Sequence, residues 1–168
     1  IPRPKMTRYF LRDEILHFFY RFIEKDRGVY EAGHTKGILD QYLAQRDSFF
    51  GIGFEKIAEE YLWKQNPYFT TTGSGKWWQY AQKELKEIDI VAENKRDKEV
   101  LFCGIKYRNR NETEDILREF LDAVSHARLQ YKGYTVHLLY VVKEGYTKKA
   151  ISYANTHGIH CMTAQQIL

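Results

Sequence analysis

The sequence predicts an α/β fold, a mixed β-sheet flanked by helices, with a helical N-terminal extension. Three observations predict it. Two strand-like runs, 86–93 and 99–107, flank the polar hexapeptide ENKRDK and read as a hairpin. A strongly apolar run at 134–142 reads as a buried strand. Helical periodicity at 52–65, 112–131 and 147–156 separates the strands, so an antiparallel run gives way to a strand–helix–strand crossover.

The elements follow in order. Residues 7–25 carry Leu11, Ile15, Phe18, Phe19 and Phe22 at steps of three and four behind Thr7 as a cap, which predicts an amphipathic helix. Its stripe, with Phe10 and Ile23, is wide for one helix face, so the expectation is that it docks on the core or on a second copy of the chain. A separate short helix is expected at 38–47, with Ile38, Leu39, Tyr42 and Leu43 on one side. The helix at 52–65 turns Phe54, Ile57, Ala58, Tyr61 and Leu62 inward and ends at Asn66-Pro67. Strands are expected at 68–72 and 76–80, with TGSG as a turn between them. Strict alternation in 86–93 puts Ile88, Ile90 and Ala92 on one face and Glu87, Asp89 and Val91 on the other. A helix at 112–131, the strand at 134–142, a helix at 147–156 stopped by Gly158 and a short strand at 159–162 complete the set.

The chain has 168 residues, so the reading is residues 1–50 as the helical extension and 51–168 as one principal domain. Aromatic residues make up 15%, which argues against disorder. No apolar run approaches the roughly 18 residues of a membrane span. Two cysteines, Cys103 and Cys161, provide neither a disulfide framework nor a zinc site by themselves, and the expectation is a cytoplasmic domain. Ile1 in place of Met, in the linker-like IPRPK, suggests a segment of a longer protein. The net charge of +4 is modest, and its one tight basic group is Lys106, Arg108 and Arg110.

Chemistry concentrates on Glu55 of the 52–65 helix, Asp89 of the second strand and Lys106 at the end of the third. Asp89 stands between Ile88 and Ile90, where a buried acid needs a partner. Lys106 shares a strand face with Phe102 and Gly104, and seventeen residues separate it from Asp89. The order acid-on-helix, acid-on-strand, lysine-on-next-strand, long helix resembles the PD-(D/E)xK, or restriction-endonuclease-like, superfamily over about residues 51–162. That resemblance implies Glu55, Asp89 and Lys106 as catalytic residues, with Glu55 and Asp89 as ligands of Mg²⁺. The superfamily pattern places an acid two residues before the lysine, and here that residue is Gly104. Two carboxylates hold Mg²⁺ weakly, so an impaired or absent phosphodiesterase site is expected, and Gly104→Glu is expected to restore the missing ligand.

A closer resemblance rests on Phe54, Glu55, Tyr61 and Leu62 with EIDIVA at 87–92 and the upstream YFLRDEILHFFYRF. It is to the uncharacterised C-terminal domain of archaeal AAA-type ATPases. It implies ATP-binding and winged-helix regions of a parent chain as partners. GSGK at 73–76 lacks the P-loop spacing, so no ATP site is expected in this segment. Lys76, Arg108 and Arg110 are the expected nucleic-acid contacts; Trp77 and Trp78 are expected as core or interface aromatics, with base stacking as the alternative. The competing expectation is a non-catalytic interaction or dimerisation module.

Overall fold

The computed structural model describes residues 11, 13–81 and 83–168. The chain divides into two compact units, Ile1–Phe49 and Phe50–Leu168.

In the first unit, α1 (Glu14–Phe18) leads into a π-helical turn, Phe19–Ile23, and a 3₁₀ turn, Glu24–Asp26, before α2 (Arg27–Glu31). Asp13 caps α1 by accepting the Leu16 N–H at 2.9 Å. The expected cap Thr7, and Phe10, lie outside the described residues. Phe22 is fully buried and meets Ile38 and Phe49, with Phe18, Ile23 and Tyr42 packed around them. Edge-on aromatic contacts at 5.5 Å (Phe22–Tyr42) and 5.6 Å (Phe22–Phe49) close this small core. Part of the aromatic segment, Phe18, Phe22 and Ile23, thus finds cover within its own unit, from Ile38, Tyr42 and Phe49 of one helix.

That helix, α3 (Lys36–Gln65), is continuous over 30 residues, where the sequence suggested two helices broken near Gly51. Interior glycines cost about 1 kcal/mol each against alanine. Burial of Phe49, Phe54, Ala58 and Leu62 along the helix outweighs that, each large side chain contributing roughly 1.5–3 kcal/mol.

The second unit holds a five-stranded mixed sheet of order β1-β2-β3-β5-β7. Its strands are β1 (Gly73–Ala81), β2 (Glu84–Asn94), β3 (Glu99–Lys106), β5 (Thr135–Val142) and β7 (Ile159–Thr163). The first three are antiparallel neighbours, and β3, β5 and β7 run parallel. A small parallel pair, β4 (Asn111–Glu112) with β6 (Gly145–Tyr146), stands apart from the sheet. One face packs on α4 (Glu114–Ala127) and α5 (Lys148–Thr156) through Ile116, Leu117, Phe120, Ala150 and Ala154. The other face packs on the second half of α3 through Phe54, Ala58 and Leu62. The expected hairpin, crossover strand and flanking helices are all present. Among the described residues no helix is long and apolar enough to cross a membrane.

Two local expectations fail for identifiable reasons. Residues 68–72 are not a strand: Thr71 donates its hydroxyl to the Leu62 carbonyl at 2.8 Å and accepts from Asn66 Nδ2 at 3.0 Å, which holds the chain as a turn. Gly73-Ser74-Gly75, expected as a turn, is instead the start of β1. On β2 the strict alternation breaks. Gly75 pairs with Val91 but Trp77 pairs with Ile88, so β2 carries one extra residue across this step. Ile88 consequently shares a core with Val91, on the opposite face from Ile90 and Ala92.

Candidate functional site

The bulge falls on Asp89, and it alters what that residue does. The β2–β3 ladder is regular from Asn94↔Glu99 to Ile90↔Cys103 and goes no further. There the Asp89 carboxylate takes over, accepting the Ile105 N–H at 2.7 Å. The acid sits where two strands begin to separate, at the end of the sheet where β3 finishes in Lys106. Burial, and next the neighbouring Glu55 charge, push its pKa up to about 6, against the pull of the Ile105 N–H and of Lys76. The Asp89 charge in turn pushes up the buried thiol of Cys103, chiefly raised by burial, and the phenol of Tyr140.

Glu55 is brought there by the register of α3 against β1. Glu55, Glu59 and Trp63 recur every fourth residue along one side of α3, and Lys76 and Ser74 alternate along one face of β1. The two rows meet as a polar seam. Trp63 Nε1 donates to Ser74 Oγ at 2.9 Å, Ser74 Oγ donates to Glu59 Oε1 at 2.5 Å, and Lys76 Nζ donates to Glu55 Oε2. The structure therefore brings Glu55, Asp89 and Lys76 under one another's influence. Lys76, expected as a nucleic-acid contact, is half exposed and bonds Glu55. Trp77, expected as a core or interface aromatic, is buried in the core beneath α4.

Lys106 ends β3 half-buried and takes part in no ion pair among the described residues. Beyond it the chain turns through Arg108 and the exposed Arg110. Arg108 approaches Glu112 at 3.5 Å. Glu112 was read from sequence as an early-helix acid, yet its side chain is only 3% exposed, on β4. Its Oε1 has no hydrogen-bond partner among the described residues. A two-residue strand leaves no periodic signal, so nothing in the sequence marked this burial. Lys143, at the end of β5, bonds Asn109 and lies 4.9 Å from the Tyr107 ring centre. The carboxyl end of the parallel strands thus gathers Lys106, Arg108, Arg110 and Lys143.

Gly104 has a structural cause. It pairs with Tyr140 across β3 and β5. A Cβ at position 104 would lie 2.4 Å from Tyr140 Cε2 and 3.1 Å from Phe120 Cδ2. The Tyr140 and Phe120 rings, edge-on at 5.3 Å, fill the place an acid would occupy. The expectation that Gly104→Glu restores a ligand is overturned: the space is taken by aromatic carbon. Among the described residues no three His, Cys, Asp or Glu side chains stand close enough to hold a metal ion.

Comparison with known proteins places these residues in a family context. The model of the DUF234 family, described as archaeal and bacterial proteins of unknown function, matches residues 19–118. That range includes Glu55, Lys76, Asp89, Gly104, Lys106 and Glu112. An uncharacterised protein of Methanocaldococcus jannaschii, MJECL04, is 27% identical over 131 residues, or 76% of this chain. The match spans only 28% of that relative's length. The crystal structure of a protein of unknown function, AF1548, is 20% identical, with a TM-score of 0.46, over 66% of this chain and 56% of that one.

Proposed function

The chain belongs to the DUF234 family, and we propose that it is a nucleic-acid-binding domain built on a restriction-endonuclease-like sheet, with phosphodiesterase chemistry impaired or absent. One observation carries this reading. At a single end of the sheet, a strand acid caps the separating β2–β3 ladder beside a helix acid, and the next strand runs out into Lys106, Arg108 and Arg110. That is the order by which the fold handles phosphodiesters in the superfamily it resembles.

The Mg²⁺ that the superfamily implies does not suit the residues present. Two carboxylates remain, one is already bonded by Lys76, and the position of a third is packed with the Tyr140 ring. Mg²⁺ favours octahedral oxygen shells and would have to rely almost wholly on water here. What is left is a basic rim suited to phosphate contact without a hydrolytic centre. On the same reading the domain follows ATP-binding and winged-helix regions in a longer chain and acts as their nucleic-acid contact.

Binding of labelled double-stranded and single-stranded DNA and of RNA, measured at two salt concentrations with and without Mg²⁺, tests the proposal. Affinity should fall steeply with salt and be indifferent to Mg²⁺. Each lost phosphate contact lowers the log–log salt slope on duplex DNA by about 0.9, so Lys106→Ala with Arg110→Ala should lower it by about 2. The second reading, a protein-interaction module, draws on exposed Ile15, Tyr20, Leu39 and Leu43 in the first unit. Absence of binding at low salt would favour it. Mg²⁺-dependent cleavage abolished by Asp89→Asn would overturn the non-hydrolytic reading.

A further inference from the structure

The misfit between the acid pair and a divalent ion has a specific occupant. We infer that the Lys76 ammonium holds the place beside Glu55 and Asp89 that a divalent cation takes in nucleases of this fold, so that the site carries its own tethered cation. This inference rests on the proposed reading of Glu55 and Asp89 as the remnant of a phosphodiesterase site.

Three features converge on it. Lys76 Nζ is in direct hydrogen-bond contact with Glu55 Oε2, and Asp89, next to Glu55, also lies within the field of the ammonium. The contact is set by the fold, since the two bonds of the seam, Trp63 to Ser74 and Ser74 to Glu59, fix β1 against α3 one pleat away. Lys76 follows Ser74 by two residues and Glu55 precedes Glu59 by four, so seating the first pair seats the second. Finally, the third-ligand position is closed from the other face by Tyr140 against Gly104. A divalent ion entering here would meet a like charge already in place and, among the described residues, no set of three acids close enough to hold it.

The single positive charge has a consequence for binding. It neutralises one carboxylate of the pair, and the Ile105 N–H partly offsets the other. The basic rim at Lys106 and Arg110 then faces phosphate without two uncompensated acids beside it and without recruiting a metal.

Titration of the full 168-residue chain with Mn²⁺ at neutral pH, followed by calorimetry and by water proton relaxation, tests this. The wild type should show no saturable binding below millimolar Mn²⁺. Lys76→Met should bind Mn²⁺ at least about tenfold more tightly, the factor expected for removing one screened like charge at close range. Adding Asp89→Asn to that variant should abolish the gain. Circular dichroism confirms folding, and if Lys76→Met does not fold, Lys76→Gln takes its place with the same two outcomes. Tight stoichiometric Mn²⁺ binding by the wild type, or a folded neutral variant with no gain, would overturn the inference. No nucleic acid is present in the titration, so its failure and the failure of the nucleic-acid reading are separate results.

Discussion

The two faces of the sheet treat the same few residues of β2 and β3 in opposite ways. Toward α4, the strands are dry: Gly104 lies under Tyr140 and Phe120, and Trp77, Ile88 and Phe102 fill the remaining space. Toward α3, the apolar core of Phe54, Ala58 and Leu62 gives way at the β1 edge to the seam of Glu55, Glu59, Ser74 and Lys76. Asp89 stands between the two: burial first, and then its charge, raise the pKa of Cys103 beneath α3 and of Tyr140 beneath α4. The contrast teaches that the two faces are constrained differently: the dry face leaves no room for a side chain at position 104, and the polar face supplies a counter-charge to Glu55.

The sharpest way to break this comparison is to put atoms on the dry face. Adding a methyl to a filled core costs typically 1–3 kcal/mol. Gly104→Ala places its Cβ 2.4 Å from an aromatic carbon, so a loss near the top of that range is expected in urea unfolding. Gly104→Glu also buries a carboxylate and should abolish cooperative unfolding. The loss from Gly104→Ala should shrink in a Tyr140→Leu background, because the two residues are neighbours and their effects couple. A neutral Gly104→Ala would show that Tyr140 turns aside readily and that position 104 can take a side chain.

Much of the fold was legible in the sequence because it is written in local periodicity. The β2–β3 hairpin, α4, β5, α5 and β7 each carry their own period of two or 3.6 and their own turn signals. The misreadings around the candidate site depend on relations between elements. Periodicity assigned Ile88 to the wrong face because a bulge shows only against a paired strand. Gly104 read as a missing acid, since its real constraint is the ring of a residue 36 positions later in parallel register. The Glu55 partner of Lys76 was not legible because it comes from α3, packed against β1. Glu55 and Asp89 were visible as candidates, but what each touches was not.

Asp89 offers a second test, on the boundary between the two faces. Its folded pKa, pushed up to about 6 by burial and Glu55, exceeds the ordinary aspartate value of 3.8. The folded state therefore holds the proton more tightly than the unfolded chain. This contribution to stability is fully present below about pH 4 and is lost as pH rises through about 6, which amounts to on the order of 3 kcal/mol. Asp89→Asn keeps an acceptor for the Ile105 N–H and removes the charge. It should be more stable than wild type at pH 8 by that order and nearly equal to it at pH 4. Thermal unfolding across this range reads the difference. A pH-independent difference would place the strain elsewhere and remove Asp89 as the residue linking the two faces.

The smallest expected effect belongs to the seam itself. Ser74 Oγ accepts from Trp63 and donates to Glu59, so Ser74→Ala removes two hydrogen bonds at one stroke. Trp63 is 47% exposed, and water can replace the lost partners there. Intramolecular hydrogen bonds are worth about 0.5–1.5 kcal/mol each net, and the exposed setting puts the pair at the low end, near 1 kcal/mol in total. The more informative readout is positional. If the seam fixes β1 against α3, Ser74→Ala should loosen the Lys76–Glu55 contact without altering either residue, and amide exchange of Lys76 and Trp77 should quicken while that of Leu101 and Phe102 does not. Equal protection in β1 before and after the change would mean that Trp77, anchored in the dry core, holds the strand unaided. The ion pair would then be a consequence of packing on the α4 face rather than of the polar seam.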